Sequence, residues 1–448
     1  MRRIAVLAVT TAVVLGSASA AGARVLRVGS FRGVHGQFRS LQAAVNAAKP
    51  GDWILIGPGD YKTSASTHPG GHSDLASAIL ISKKSLHIRG MDRNRVIIDG
   101  TKPGSAPCSR KSSAQNLGPA GSKGHQGLNG IMVWKADNVS IENLTACNFL
   151  GGKGDTGNEI WWNGGDGSGK IGGWGFTGSY LTATSMFYGG EATAAKYGIF
   201  SSNWSGGTWD QAYASNFNDS GFYIGACQQQ CQQTMNHAWA EFNALGYSGS
   251  NSGGWMLIEN SRFDNNEDGL DTNSQNGDNP PPQNGACPSG VSPPISGAPS
   301  CWVFTHNRVD HNNNPNVPSA GAAAAGPVGT GMSVSGGRND TVIANNFDHN
   351  NAWGVIVVPY TDSGNSCPGG TPNSPLIGSG TCLWDDYGDA LLGNSFSHDG
   401  SYGNPTNGQF DQLNFEVHPP DCFSANADTS SSLSADASNL EQKFPSCT

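Results

Sequence analysis

Charge is scarce in this chain. Asp, Glu, Lys and Arg make up 13% of 448 residues, with 25 basic against 34 acidic side chains and a formal net charge of −9. There is no basic stripe and no interleaving of basic with aromatic residues, so no nucleic-acid partner is expected. Beyond the N-terminus no segment approaches the roughly 18 apolar residues of a spanning helix, so no membrane partner is expected. Paired CxxC knuckles and Cys/His clusters at ligand spacing are missing, which disfavours a structural zinc site. Helix-period patterning is rare. Glycine is abundant at 63 residues, but without the three-residue period of collagen.

What is present starts with a leader. Arg2 and Arg3 precede an apolar run from Ile4 to Leu15, and small residues follow at Ala18-Ser19-Ala20 and Ala21-Gly22-Ala23. This pattern predicts a secretory signal over residues 1–23 and an extracellular, secreted chain. The 10 cysteines are even in number and fit an oxidising compartment. Cys287 with Cys301, Cys367 with Cys382, and Cys422 with Cys447 flank loops. Cys227 and Cys231 are so close that an internal bond is left open.

A repeat sets the fold. Phe38, Leu41, Ala44, Val45 and Ala48 fall at helical spacing, and Pro50-Gly51 ends that helix. Short strands follow in "DWILIG", "AILIS", "SLHIRG" and "RVIIDG". Further on, "VSIENLTACNF", "MLIENSRFDNNEDGLD", "VFTHNRVDHNNN", "VIANNFDHNNAWGVIV" and "ALLGNSFSHDGSYG" share one plan. Each is a short apolar strand, an Asn, a second apolar residue and a polar turn. Asn143, Asn260, Asn307, Asn345 and Asn394 recur at comparable positions, as stacked turns require, because Asn bonds to neighbouring turns and tolerates left-handed dihedrals. Such coils bury their apolar faces only against one another. The expectation is an all-β, single right-handed parallel β-helix over residues 24–422, with an N-terminal capping helix and a C-terminal arm over 423–448. A β-propeller fits poorly, since blade-length periods are absent. Long Pro/Gly/Ser-rich insertions at 101–127, 273–301, 314–329 and 361–382 are groove walls or tolerated surface loops.

The densest acidic stretch is "NNEDGLDTNSQN", residues 265–276. Leu270 should point into the coil and Asp271 outward. Glu267, Asp268 and Asp271 could then converge on one exposed edge, where a Ca²⁺ ion would relieve their repulsion. The plainer alternative is a solvated Asp-Gly turn.

The same stretch resembles family-nine pectate lyases. That family has Asp-Asp-Gly-Trp-Asp where this chain has Glu267-Asp268-Gly269-Leu270-Asp271. Its preceding coil carries Asn-Ala-Asp-Gly-Phe, where this chain reads "NALGYS", with Leu245 in place of a Ca²⁺ ligand. A later coil carries Gly-x-Gly-Phe-Lys-Leu-Gly-Gly, whose Lys is the base; here "GTGMSVSGG" places Ser333 at that position. The resemblance runs from about Asn236 to Val358. It implies a Ca²⁺ site at Glu267, Asp268 and Asp271 and β-elimination on an acidic, uronate-containing polysaccharide, with the base and one ligand replaced. Elimination needs a neutralised uronate and a base beside it.

Other candidates for the base are Arg338, which would need an unusual environment to lose its proton, and His311 and His349. With His398 these histidines track the repeat; they could act as acid or base or take a transition metal, but stacked turn residues are the plainer reading. Trp255 and Arg308 are candidate substrate contacts. So are the rings of Trp161, Trp162, Trp174, Trp204, Trp209 and Trp239, although Trp is mostly buried on average. A glycoside hydrolase would pair two carboxylates among Asp264, Glu267, Asp268 and Asp271, roughly 6.5–9.5 Å apart for inversion. The polygalacturonase motifs Asn-Thr-Asp, Gly-His-Gly and Arg-Ile-Lys are absent. A non-catalytic glycan-binding β-helix is the remaining alternative. The expected partner is a polysaccharide, and the chain is expected to act as a monomer.

Overall fold

The computed structural model describes residues 22–63, 66–165, 167–250, 252–273, 302–318, 326–363, 367, 370–373, 378–403, 408–412, 421–429 and 445–447. The expected signal segment up to residue 21, and Cys287 and Cys301, lie outside them. The described residues form a right-handed parallel β-helix. Each regular coil gives one strand to a ten-stranded parallel sheet, the front sheet, and two successive short strands to a 21-stranded back sheet with a near and a far arm. Among the described residues, no helix is long and apolar enough to cross a membrane.

Alternation along the strands builds the core. On the front sheet Ile131, Ile160, Ile199, Phe222, Tyr247, Leu270, Met332 and Val355 stack in register from coil to coil, all buried. On the far arm Phe263, Val309, Phe347 and Phe396 do the same. Parallel neighbours stand about 4.8 Å apart, so each apolar side chain is covered by those above and below. At the N-terminal end the helix Leu41–Ala47 seals the stack. Its buried face is Leu41, Ala44 and Val45, and the Ser40 side chain accepts a hydrogen bond from the backbone N–H of Ala43.

Two corners hold the coils together. At the turn between the arms, Asn307, Asn345, Asn394 and Asn426 form a ladder. Each amide donates to the next Asn Oδ1, at 3.1, 3.1 and 3.0 Å, and each Oδ1 also accepts a backbone N–H from the coil below. Asn260 is not part of it: Ser261 occupies the ladder position, and Asn260 stands one residue earlier with φ +50°. Asn143 likewise takes a left-handed turn position, φ +56°. A second ladder unites Asn243, Asn266, Asn312, Asn350 and Asp399 at the turn into the front sheet, with amide contacts of 3.0, 3.0, 3.0 and 2.9 Å.

Disulfides join Cys367 to Cys382 and Cys422 to Cys447 as expected. Cys227 bonds Cys231, and Cys108 bonds Cys147, a pairing the spacing did not suggest. Lateral pairing continues to Phe396 with Asp428, beyond residue 422.

Candidate active site on the front sheet

Asp271 lies in the strand Asp268–Asn273 of the front sheet, facing outward beside the inward Leu270. Its lateral neighbours are Ser248 on one side and Ser333 on the other. The Ser333 hydroxyl donates to Asp271 Oδ1. The residue at the position of the family's base is therefore in the same outward column as Asp271, and its proton is already committed to that carboxylate.

Asp268 differs from expectation. It is 5% exposed, where the sequence suggested an open edge. The segment around Gly326 closes over it: a Cβ on Gly326 would stand 2.7 Å from Asp268 Oδ2. Its lateral neighbour is Leu245, and its Oδ1 accepts the Thr330 backbone N–H at 3.4 Å. Burial drives the Asp268 carboxyl well above its ordinary pKa, and the charges of Glu267 and Asp271 add to that; the Thr330 N–H opposes it. Half-buried Glu267 is also raised, by loss of hydration. Gly269 is not a turn residue. It sits within the strand, where a Cβ would meet the Gly331 carbonyl oxygen at 2.2 Å.

Calcium oxygens stand about 2.3–2.6 Å from the ion, so the ligand atoms of one site crowd together. Among the described residues, two groups of three bring ligand atoms within 4.8 Å of one another: Asp99 with Cys108 and Cys147, and Asp348 with His349 and His398. Glu267, Asp268 and Asp271 do not form such a group. An extended strand separates Asp268 from Asp271 by about 10 Å along the chain, with side chains on alternate faces. The first of the two groups contains a disulfide.

The remaining candidates are dispersed. Arg308 lies in the back-sheet strand Arg308–Asp310, bonded to Asp310 at 2.9 and 3.2 Å. Asp264, also on the far arm, is buried and accepts from Trp239 and Arg262, so it does not face Asp271. Trp255 is exposed in the back-sheet strand Ser252–Glu259. Arg338 is buried at the corner after the front strand, its Nε donating to the Asp385 carbonyl and its guanidinium over the Tyr387 ring; burial lowers its pKa. His311, His349 and His398 all adopt left-handed turn dihedrals just before the second ladder. Their rings stack at 4.9 and 4.7 Å, and each Nδ1 contacts its preceding residue, Asp310, Asp348 and Ser397. Of the tryptophans, Trp161, Trp162, Trp204 and Trp209 are buried; Trp174, Trp239 and Trp255 are exposed.

One cluster was not read from the sequence. Lys196, Tyr197 and Asp219 lie at the turn edge of the front sheet, N-terminal to Asp268. Tyr197 aligns laterally with Ser220, Ser220 with Leu245, and Leu245 with Asp268. Tyr197 donates its phenol to Asp219 Oδ2 at 3.1 Å, and the Ser220 hydroxyl donates to Asp219 Oδ1 at 3.3 Å. Loss of hydration raises Asp219 to about 6, against the pull of Tyr197, Ser220 and Lys196. The signal available was the triplet that opens each strand: Lys-Tyr-Gly, Asp-Ser-Gly, Ala-Leu-Gly and Glu-Asp-Gly in successive coils. Next to this cluster Trp161, Phe200 and Tyr223 stack on the outer face at 4.8 and 4.7 Å.

No protein-family model matches the chain, and no curated protein matches it. Among solved structures, the A-module of a mannuronan C-5 epimerase of Azotobacter vinelandii is 12% identical, with a TM-score of 0.49 over 87% of this chain and 90% of that one. An alginate lyase of Paenibacillus sp. is 14% identical, with a TM-score of 0.47 over 88% of this chain and 99% of the other. The pectate lyase Pel9A is 14% identical, with a TM-score of 0.34 over 92% and 82%.

Proposed function

We propose that the chain cleaves an acidic, uronate-containing polysaccharide by β-elimination along the outer face of its front sheet. The observation that carries this reading is the outward column on that sheet. The half-buried Tyr223 ring, stacked on the buried Phe200 and Trp161, gives way strand by strand to Ser248, Asp271 and Ser333. Aromatic faces suit pyranose rings, and the polar side chains that follow suit hydroxyl groups. The steps are written without calcium, since Glu267, Asp268 and Asp271 do not bring ligand atoms within 4.8 Å of one another. Ser333 donates its hydroxyl proton to Asp271, so the carboxylate is the acceptor of that pair.

Elimination creates a C4=C5 unsaturated uronide that absorbs in the ultraviolet. Incubation with polygalacturonate, alginate and a neutral glycan is expected to give that absorbance with a uronate polymer only. Asp271→Ala should slow it by about tenfold or more, the cost of one charge-assisted contact. New reducing ends without absorbance would identify a hydrolase instead. Binding without either product would identify a glycan-binding protein.

A further inference from the structure

Elimination on a uronate needs three services: neutralisation of the carboxylate, a base for the C5 proton and an acid for the leaving oxygen. The Asp271–Ser333 pair offers a carboxylate but no cation and no acid beyond the Ser333 hydroxyl. Elsewhere on the same face all three are together.

Lys196 is half-buried and precedes the strand Tyr197–Ser202. Its backbone is fixed on both sides: Lys196 N–H donates to the Gly157 carbonyl at 2.7 Å, and the Lys196 carbonyl accepts from Asp219 and Ser220 at 3.3 and 3.2 Å. Among the described residues its ammonium has no carboxylate within 4.0 Å, unlike Lys62, which pairs with Asp60 and Asp99. Its charge acts on Asp155 and Asp219 at longer range, favouring both carboxylates. Asp155 and Asp219 are both raised by enclosure while keeping accessible surface. Lys196, Tyr197 and Asp219 are half-buried and Asp155 is exposed, so the group is open to solvent on one side. A half-buried ammonium without an ion-pair partner is able to receive an anion.

We propose that Lys196, Tyr197 and Asp219 form the acid–base centre of the front sheet, Lys196 binding a uronate carboxylate and the Tyr197–Asp219 pair moving the protons. This rests on the eliminative reading above. The Asp219 carboxylate takes the C5 proton, and the C–H electron pair becomes the C4=C5 double bond. The C4–O4 bond breaks, and O4 takes the phenolic proton of Tyr197. The phenolate then recovers a proton from the Asp219 carboxyl along their 3.1 Å hydrogen bond, which restores both groups. Acid and base act from the same side of the sugar. Lys196 acidifies C5–H by neutralising the adjacent carboxylate. Three strand spacings, about 14 Å along the axis, separate Tyr197 from Asp268, so the Asp271 region binds neighbouring sugars.

The groups facing this pair fix its pH dependence. Asp219 meets Tyr197, Ser220 and Lys196; Tyr197 meets Asp219, Tyr223 and Asp155; Asp155 meets Lys196 and Asp74. Asp219 must be ionised, so activity rises through a pH of about 6. Tyr197 must be protonated, and enclosure beside Asp219 holds it well above its usual value, so no alkaline loss comes from it near neutrality.

The test uses the full chain with a uronate polymer and an unlabelled uronate trimer. Asp219→Asn should lower kcat by about 100-fold or more, and Tyr197→Phe by a similar factor. Lys196→Ala should raise KM and weaken trimer binding in calorimetry, and Lys196→Arg should restore part of both. Thermal midpoints of the variants check that they fold. Two failures are separable. A wild-type chain that yields no unsaturated product overturns the reaction as a whole. An active wild type whose rate survives Asp219→Asn within twofold, or whose trimer affinity survives Lys196→Ala, overturns this assignment alone.

Discussion

Asp268 and Gly269 show how one dipeptide can be misread. In sequence they suggest a solvated turn or an open cation site, yet both lie inside a strand, one beneath the chain near Gly326 and one pressed against the next coil. Neither fact was legible, because the covering residues come from a distant part of the chain. The register was legible: the motif that aligned Leu245 and Ser333 with this strand gives their observed lateral neighbours, Asp268 and Asp271. The burial of Asp268 has a thermodynamic consequence. Its folded pKa is raised above its unfolded value, so the folded chain holds the proton longer. Stability from this group is full below the unfolded carboxyl range and falls as pH rises toward the folded value. Asp268→Asn keeps the shape without the charge. It is expected to raise the stability of the fold near neutral pH and to flatten its decline above pH ~4, read as denaturation midpoints across a pH series. A variant less stable than wild type at neutral pH would show instead that the ionised carboxylate is held by favourable contacts.

At the scale of the coil, the Asn repeat was legible and its phase was not. Asn tolerates a left-handed turn and also ladders between turns, so one residue type answers to two neighbouring columns. Asn143 and Asn260 belong to the first column, and Asn307, Asn345 and Asn394 to the second. The histidines gave the same ambiguity; their left-handed dihedrals and Asp or Ser partners match stacked turn residues. Asn312 measures what a ladder contributes. Its amide donates to the Phe263 carbonyl and to Asn350 Oδ1, and its Oδ1 accepts the Asn266 backbone N–H and amide. Asn312→Ala strips partners from buried groups on both sides, each costing about 1–3 kcal/mol. A loss of about 3 kcal/mol or more is expected in urea denaturation. Asn265→Ala, in the left-handed column one coil earlier, should cost much less. Equal losses would deny the ladder its role.

Across the whole molecule the stack is nearly one-dimensional, since a coil touches chiefly the coils before and after it. Stability should therefore sum over neighbouring coils rather than collapse all at once. The helix Leu41–Ala47 closes one end. At the other, Cys447 is bound to Cys422, its N–H donates to Ser424 Oγ, and the Pro445 carbonyl accepts from Phe423. The tail thus covers the strand Cys422–Ser424, which has no further coil beyond it among the described residues. Cys422→Ser releases that cover, at a cost of about 3 kcal/mol for a loop of this size. Hydrogen exchange should then quicken in the strands Ala390–Leu392 and Ser395–Ser397. Tyr197–Ser202 and Asp268–Asn273 should stay protected, and eliminative activity should persist. The catalytic edge lies coils away from the released end, and in a solenoid that distance insulates it. A uniform loss of protection along the chain, with loss of activity, would mean instead that the coils unfold as one unit and that the terminal disulfide holds the whole front sheet in place.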